Sequence, residues 1–388
     1  MSIIISLLDT DFYIFTMQNL IFHRFPSIEV KYEFKCRNNI NLLPYKKEIE
    51  EEIDNLCNLK FKDDELKYLS KIKFLSKGYI NFLEDFTLKR RFVNVYEKDG
   101  QLAIKIKGPN VQVMMFEVPI LAIVNEVYFR HQINKINYTD CINKLNDKIN
   151  LIKNSNLELQ FQFADFGTRR RFSRDWHDYI IKRLKQEIPN NFIGTSNCYF
   201  SKNFNIKQIG TMSHSYFQLG QGLENTRLED SQKYMLQQWA YEYRGNLGIA
   251  LTDTIGIDVF LRDFDLYFAK LFSGVRHDSG DAYEFGDKVI KHYYNLNIDP
   301  MTKTIVFSDG LDFHKAIDLC RYFNGRINTS FGIGTNLTND TGLEPLQIVI
   351  KMTSCNYKPV AKISDSPGKI MCKDEEFLNY LKKVYGVK

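Results

Sequence analysis

Most side chains in this sequence that could do chemistry sit in short polar clusters, each placed after an apolar run. In Asp165-Phe166-Gly167-Thr168-Arg169-Arg170-Arg171 an aromatic ring stands beside guanidinium groups. A ring that stacks and a fork that pairs with a carboxylate suit a flat aromatic acid. Three consecutive arginines cannot all face inward, and the other reading is the solvated start of a basic helix. In Gly210-Thr211-Met212-Ser213-His214-Ser215 the histidine is flanked by small polar residues. It can serve as acid, base, metal ligand or phosphoryl acceptor, or be a satisfied structural group. No second histidine at metal-binding spacing accompanies it, which argues against a metal cage. The cluster Arg276-His277-Asp278-Ser279-Gly280-Asp281 combines carboxylates, a cation and a hydroxyl. That set fits a phosphorylated sugar, with carboxylates toward ribose hydroxyls or a hydrated Mg²⁺ and arginine toward phosphate. A polar loop or helix cap would use Asp278 or Ser279 equally well. In Ser308-Asp309-Gly310 and Gly332-Ile333-Gly334-Thr335, glycines let backbone N–H groups approach phosphate oxygens. Neither is a Walker A loop or a full G-x-G-x-x-G, and simple turns use the same residues. Together the clusters describe an enzyme for a phosphorylated sugar and a planar anionic partner.

The elements that must hold these clusters follow from periodicity. Up to about Ile136 the chain alternates polar and apolar over Glu29 to Cys36 and Gln101 to Lys107, with helical stretches at Lys46 to Leu56 and Asp63 to Leu69. That pattern predicts an antiparallel sheet with one wet face and helices, an α+β domain over about residues 1–140. From about Leu159 to Ile350 short apolar runs at 161–167, 192–196, 247–253, 304–310 and 327–335 alternate with amphipathic stretches. Near-continuous apolar strands of this kind predict a parallel sheet buried on both faces, within a domain of residues 141–349. Functional groups in such folds gather at the carboxyl ends of strands, where the polar clusters lie. A strand at Ile348 to Met352, a loop at Ser364 to Lys369 and a short helix complete the tail, residues 350–388, expected near the N-terminal domain.

Bulk properties narrow the class. A net charge of +5 over 388 residues is far from the clustered basic surface of a nucleic-acid binder. The run Lys89-Arg90-Arg91 reads as a solvated face. The opening MSIIISLLDTD has no basic n-region or cleavage pattern, and the apolar stretch Val118 to Val124 is too short to span a bilayer. Seven scattered cysteines, none in C-x-x-C spacing, indicate neither a disulfide framework nor a zinc site. These features lead us to expect a cytoplasmic protein with no nucleic-acid or membrane partner.

As strings, the clusters are more specific than their chemistry. LLDTDFY, DFGTRRRFSR, IGTSN, GTMSHSYFQ, LGIALTDT, FLRDF, RHDSGD, VFSDGLD, SFGIGTNLT and KISDSPGK occur in order from Leu7 to Lys369, and the chain resembles the nicotinate phosphoribosyltransferase family. The resemblance implies an α/β fold, an irregular α/β barrel of the type II phosphoribosyltransferase kind, with an N-terminal α+β domain. It implies formation of nicotinate mononucleotide and pyrophosphate from nicotinate and phosphoribosyl pyrophosphate, coupled to ATP hydrolysis, in NAD salvage. By residue, it implies that Phe166 and Tyr13 stack on the pyridine ring, Tyr13 across a homodimer interface, with Arg169 on the carboxylate. His214 matches the phosphorylated histidine, while Asp253, Arg276 and Asp278 match groups around the ribose and ring nitrogen. Gly310, Gly332, Gly334 and Thr335 match the 5′-phosphate cradle. Ser196 stands where the nicotinamide-using relatives carry an acid, which favours nicotinate. Mg²⁺ is expected to be held by substrate phosphates and water, and no residue is assigned to it directly.

Overall fold

The structure is a computed structural model that describes residues 2–38, 40–157 and 160–387. Leu159, where the predicted parallel region begins, lies outside them. The strands are β1 (Glu29–Cys36), β2 (Val93–Lys98), β3 (Gln101–Pro109), β4 (Phe163–Asp165), β5 (Phe192–Thr195), β6 (Ile249–Leu251), β7 (Gly274–His277), β8 (Thr304–Phe307), β9 (Asn328–Ile333), β10 (Ile348–Cys355) and β11 (Lys358–Pro359). Five helices matter for the site: α1 (Phe12–Arg24), α2 (Glu117–Arg130), α3 (Arg174–Glu187), α4 (His214–Gly222) and α5 (Ala282–Asn295). The chain divides into two compact units. The first comprises Met1–Ser27, Tyr32–Gly210 and Ile333–Ile350, and the second Ile28–Lys31, Thr211–Gly332 and Lys351–Lys388.

In the first unit, β2 and β3 form an antiparallel hairpin with Val93 opposite Ile106 and Lys98 opposite Gln101. Asp99 and Gly100 both take positive φ (51° and 73°), as a two-residue hairpin turn of the favoured twist requires. Val95, Leu102, Ile104 and Ile106 are buried while their neighbours are not, which is the predicted wet-faced sheet. The predicted helices are present at Lys46–Cys57 and Asp63–Ser70. α2 is apolar all round and buried along nearly its whole length, as a core helix should be. It belongs to a helical run, Asn110–Arg130, that is longer than the predicted apolar stretch and long and apolar enough to cross a membrane. Of an 18-residue apolar stretch within that run 89% is buried in the protein, so its apolar side chains are spent on the core. Strands β4 and β5 pair in parallel, Asp165 opposite Thr195.

In the second unit β6, β7, β8 and β9 are parallel neighbours, and Leu251, Arg276, Val306 and Ser330 form one row across them. Ala250, Val275, Ile305, Phe307 and Phe331 are buried. α5 buries Phe285, Val289, Ile290 and Tyr293, and Asp281 caps it by accepting from the backbone N–H groups of Tyr283 and Glu284. Asp281 is therefore the helix cap, a use expected of Asp278 or Ser279. The tail belongs here as well. Ala361, Ile363, Leu381 and Tyr385 form a core with Ile255 and Val259. The protein is thus α/β, with parallel strands following an N-terminal α+β region.

Candidate active site

Because β6, β7 and β8 are parallel and in register, the residues that follow them emerge at one edge. Asp253 lies two residues beyond Leu251, and Asp278 two residues beyond its partner Arg276. His214 opens α4 and is only 5% exposed. Its Nε2 lies 2.8 Å from Asp253 Oδ1 and 3.5 Å from Asp278 Oδ2. A residue to which the sequence reading gave no role completes the group. Lys362, 4% exposed, places Nζ 2.7 Å from His214 Nε2 and 2.7 Å from Asp253 Oδ2. Ser279 donates to the same Asp253 oxygen at 2.6 Å, and Ser308 donates to Asp278 at 3.0 Å. Lys369 donates to the Asp278 carbonyl at 3.0 Å and pairs with Asp309. Both lysines come from the KISDSPGK string, the one signal that could have pointed to them.

Electrostatics follow from this crowding. Burial pushes the His214 imidazole down, Lys362 adds to that, and Asp253 opposes it; the result is about 4. Burial alone would raise the Asp253 carboxyl, but His214 and Lys362 outweigh it and hold it well below the usual carboxylate range. Asp278 is likewise held low against burial, first by Arg276. Nε2 carries at most one hydrogen. A proton there suits Asp253, whereas a bare nitrogen suits the Lys362 ammonium. Arg276 Nε is buried with no hydrogen-bond partner among the described residues.

His214, Asp253 and Asp278 offer three ligand atoms within 4.8 Å of one another. They do not fit Mg²⁺, which demands near-octahedral oxygen coordination. One donor is an imidazole nitrogen, and an ammonium ion already takes hydrogen-bonding room at two of the three. The cation of this cluster is Lys362.

The first unit holds the remaining candidates except Gly310 and Gly332, which belong to the second. The parallel pairing of β4 and β5 puts Phe166 and Ser196 at one edge, and Ser196 N–H donates to the Asp165 carbonyl at 2.8 Å. Asp165 is fully buried and fixes this edge. It takes His177 at 2.7 Å, the Thr195 hydroxyl at 2.6 Å and the Gly167 N–H at 2.9 Å. Gly334 approaches Phe166 closely, since a Cβ on it would lie 3.2 Å from the Phe166 carbonyl. Thr335 begins the short helix beyond it. Gly332, in contrast, lies inside β9, so the glycine loop starts two residues later than its motif suggests. Gly310 sits in the second unit at φ 55° with no atom near its missing side chain, an open turn after β8.

Of the three arginines, Arg171 is fully buried and bidentate to Asp9 at 2.7 and 2.8 Å, so it is structural. Arg169 is 41% exposed, 6.0 Å from the Tyr13 ring centroid, with Asp11 at 3.7 Å and Glu117 at 3.8 Å. Ser196 donates to Asp11 Oδ1 at 2.7 Å. A carboxyl therefore lies beside the serine that was expected to free this place of charge, and burial raises its pKa.

Residues 161–388 match the model of the nicotinate phosphoribosyltransferase family, and residues 8–125 match that of its N-terminal domain. The chain belongs to the nicotinate phosphoribosyltransferase family. A family member from Chromobacterium violaceum is 52% identical, covering 99% of this chain and 98% of its own length. The crystal structure of nicotinate phosphoribosyltransferase from Vibrio cholerae superposes with a TM-score of 0.96 at 40% identity, covering all of this chain and 94% of the other. That of the Porphyromonas gingivalis enzyme gives 0.93 at 34%, covering 99% of this chain and 100% of its own.

Proposed function

We propose that the chain forms nicotinate mononucleotide and pyrophosphate from nicotinate and phosphoribosyl pyrophosphate, and that ATP is hydrolysed in the same cycle through a phosphohistidine at His214. This would be the first step of NAD salvage from nicotinate, carried out by a cytoplasmic homodimer. The observation that carries the reading is the group of buried His214, Asp253 and Lys362 with the half-buried Asp278, in a chain of this family.

In phosphoribosyl transfer the pyridine nitrogen attacks the anomeric carbon as its bond to the pyrophosphate oxygen breaks, with the electron pair leaving on pyrophosphate. The sugar passes through a cationic, oxocarbenium-like transition state, which fixed carboxylates such as Asp253 and Asp278 stabilise. The pyrophosphate arrives as its Mg²⁺ salt, so the metal is part of the substrate. Arg276 supports this role through its unpartnered Nε, and Gly310, Gly332, Gly334 and Thr335 are assigned to the 5′-phosphate by family resemblance. Phe166 and Tyr13 are assigned to the faces of the pyridine ring, and Arg169 to its carboxylate.

A phosphoryl acceptor must present an unprotonated nitrogen, which the depressed His214 does at neutral pH. The Pγ–O bond of ATP breaks with its electron pair leaving on ADP, an N–P bond forms, and water later releases phosphate. His214→Ala should lose ATP stimulation yet retain slow transfer, and normal stimulation in that variant would refute the role.

The assay is mononucleotide formation from nicotinate or nicotinamide with phosphoribosyl pyrophosphate and Mg²⁺, with and without ATP. Nicotinate turnover stimulated by ATP is expected. Preference for nicotinamide would favour the amide-using relatives, a reading to which the Asp11 carboxyl beside Ser196 lends some weight. Turnover indifferent to ATP would remove the phosphohistidine. Light scattering at assay concentration tests the dimer, on which the action of Tyr13 in trans depends.

A further inference from the structure

Lys362 lies on neither a helix nor a long strand, yet its backbone is pinned on every side. Lys362 and Met371 exchange backbone hydrogen bonds of 3.0 and 2.9 Å. One residue earlier, Ala361 is clasped by Gln221, which accepts from its N–H at 2.8 Å and donates to its carbonyl at 2.9 Å. One residue later, Ile363 N–H donates to the Thr254 carbonyl at 2.8 Å. Gln221 belongs to α4, the helix that His214 opens, and Thr254 follows Asp253 directly. The segment is therefore tied separately to the two elements that carry the imidazole and the carboxylate. Its lysine reaches both side chains at 2.7 Å.

Charge gives this placement a purpose. A phosphoryl group on His214 would add close to two negative charges beside Asp253, and beside Asp278 at 3.5 Å. A phosphoryl group cannot lie this close to the buried Asp253 and the half-buried Asp278 without a cation, because repulsion at the buried carboxylate is poorly screened. Lys362 is the cation whose Nζ the structure holds against both the imidazole and Asp253.

We infer that Lys362 is the positioning residue of His214: it sets the imidazole against Asp253 and supplies the countercharge that the phosphorylated ring requires. This rests on the reading of His214 as phosphoryl acceptor. A purely structural alternative is that Lys362 only neutralises Asp253.

The test compares the full-length wild type with Lys362→Met and Lys362→Arg. It measures acid-labile, base-stable label from γ-labelled ATP per mole of folded protein, together with the ratio of turnover with ATP to turnover without it. Lys362→Met should lower both label and ratio at least about tenfold, and Lys362→Arg, which keeps the charge, should restore a substantial part of each. A folded Lys362→Met with wild-type label and ratio would overturn the inference. So would an arginine variant that folds but remains as defective as the methionine one. Failure of wild type itself to take label at His214 would instead remove the phosphohistidine, and this inference with it. If Lys362→Met does not fold, the arginine variant alone decides: preserved label supports the countercharge, and its loss in a folded protein refutes it.

Discussion

The ring of His214 is buried against an ammonium ion, and the pH dependence of stability should register this. The folded protein holds the imidazole at about 4, whereas the unfolded chain takes up its proton near 6.5. Between those values the unfolded state binds more protons, so stability falls as pH falls through that window; above 6.5 the group imposes no penalty. The loss should be on the order of 2–3 kcal/mol by pH 4.5. Urea midpoints of wild type and His214→Asn at pH 7.5 and 4.5 measure it. The variant should lose less stability by about that amount, and equal acid sensitivity would show that the native ring is protonated. Arg169 allows a second prediction at this scale. Its guanidinium stands 3.7 Å from Asp11 and 3.8 Å from Glu117. Arg169→Ala should raise KM for nicotinate roughly 10- to 100-fold, the worth of a charge-assisted pair. An unchanged KM would move the carboxylate contact elsewhere.

At the scale of elements, what a strand can tolerate depends on its neighbours. Gly274 begins β7, and a Cβ there would overlap the backbone carbonyl of Thr304 on β8, which cannot move without losing the pairing. Gly274→Ala should therefore cost about 3 kcal/mol or more and displace Arg276 and Asp278 together. Denaturant unfolding measures the first effect and turnover the second; a variant as stable as wild type would mean that β8 yields. This strand also marks the limit of what periodicity revealed. The runs at 161–167, 192–196, 247–253, 304–310 and 327–335 were legible because apolar residues recur before each polar end, and β4, β5, β6, β8 and β9 lie there. Phe272-Ser273-Gly274-Val275-Arg276-His277 has polar or minimal residues around Val275, and its strand character comes from β6 and β8 on either side. Lys362 was hidden for a related reason. A lysine in an irregular stretch has the signature of solvent exposure, and only tertiary contacts reveal that it is buried. Phe166, His214 and Asp278 could be read because each follows a strand or opens a helix in a recognisable string.

At the scale of the whole chain, residues far apart in sequence share one compact unit, since 211–332 and 351–388 fall together. The tail supplies Ala361, Ile363, Leu381 and Tyr385 to the core containing Ile255 and Val259. Ending the chain after Val360 should therefore do more than remove Lys362. It uncovers that core, and the shortened protein should be cut by protease within 211–332 under conditions where the full chain is resistant. Equal resistance would show that the unit stands without its tail.

The clasp between Gln221 and Ala361 also imposes an order in time. His214, Asp253 and Asp278 leave the ribosome well before Lys362, which follows Asp278 by 84 residues. At about 5–20 residues per second, roughly 4 to 17 s pass in which the carboxylates exist without their ammonium partner. A nascent chain cannot close this cluster early, and synthesis that stalls in that interval leaves a protein with its acidic residues in place and its chemistry unassembled.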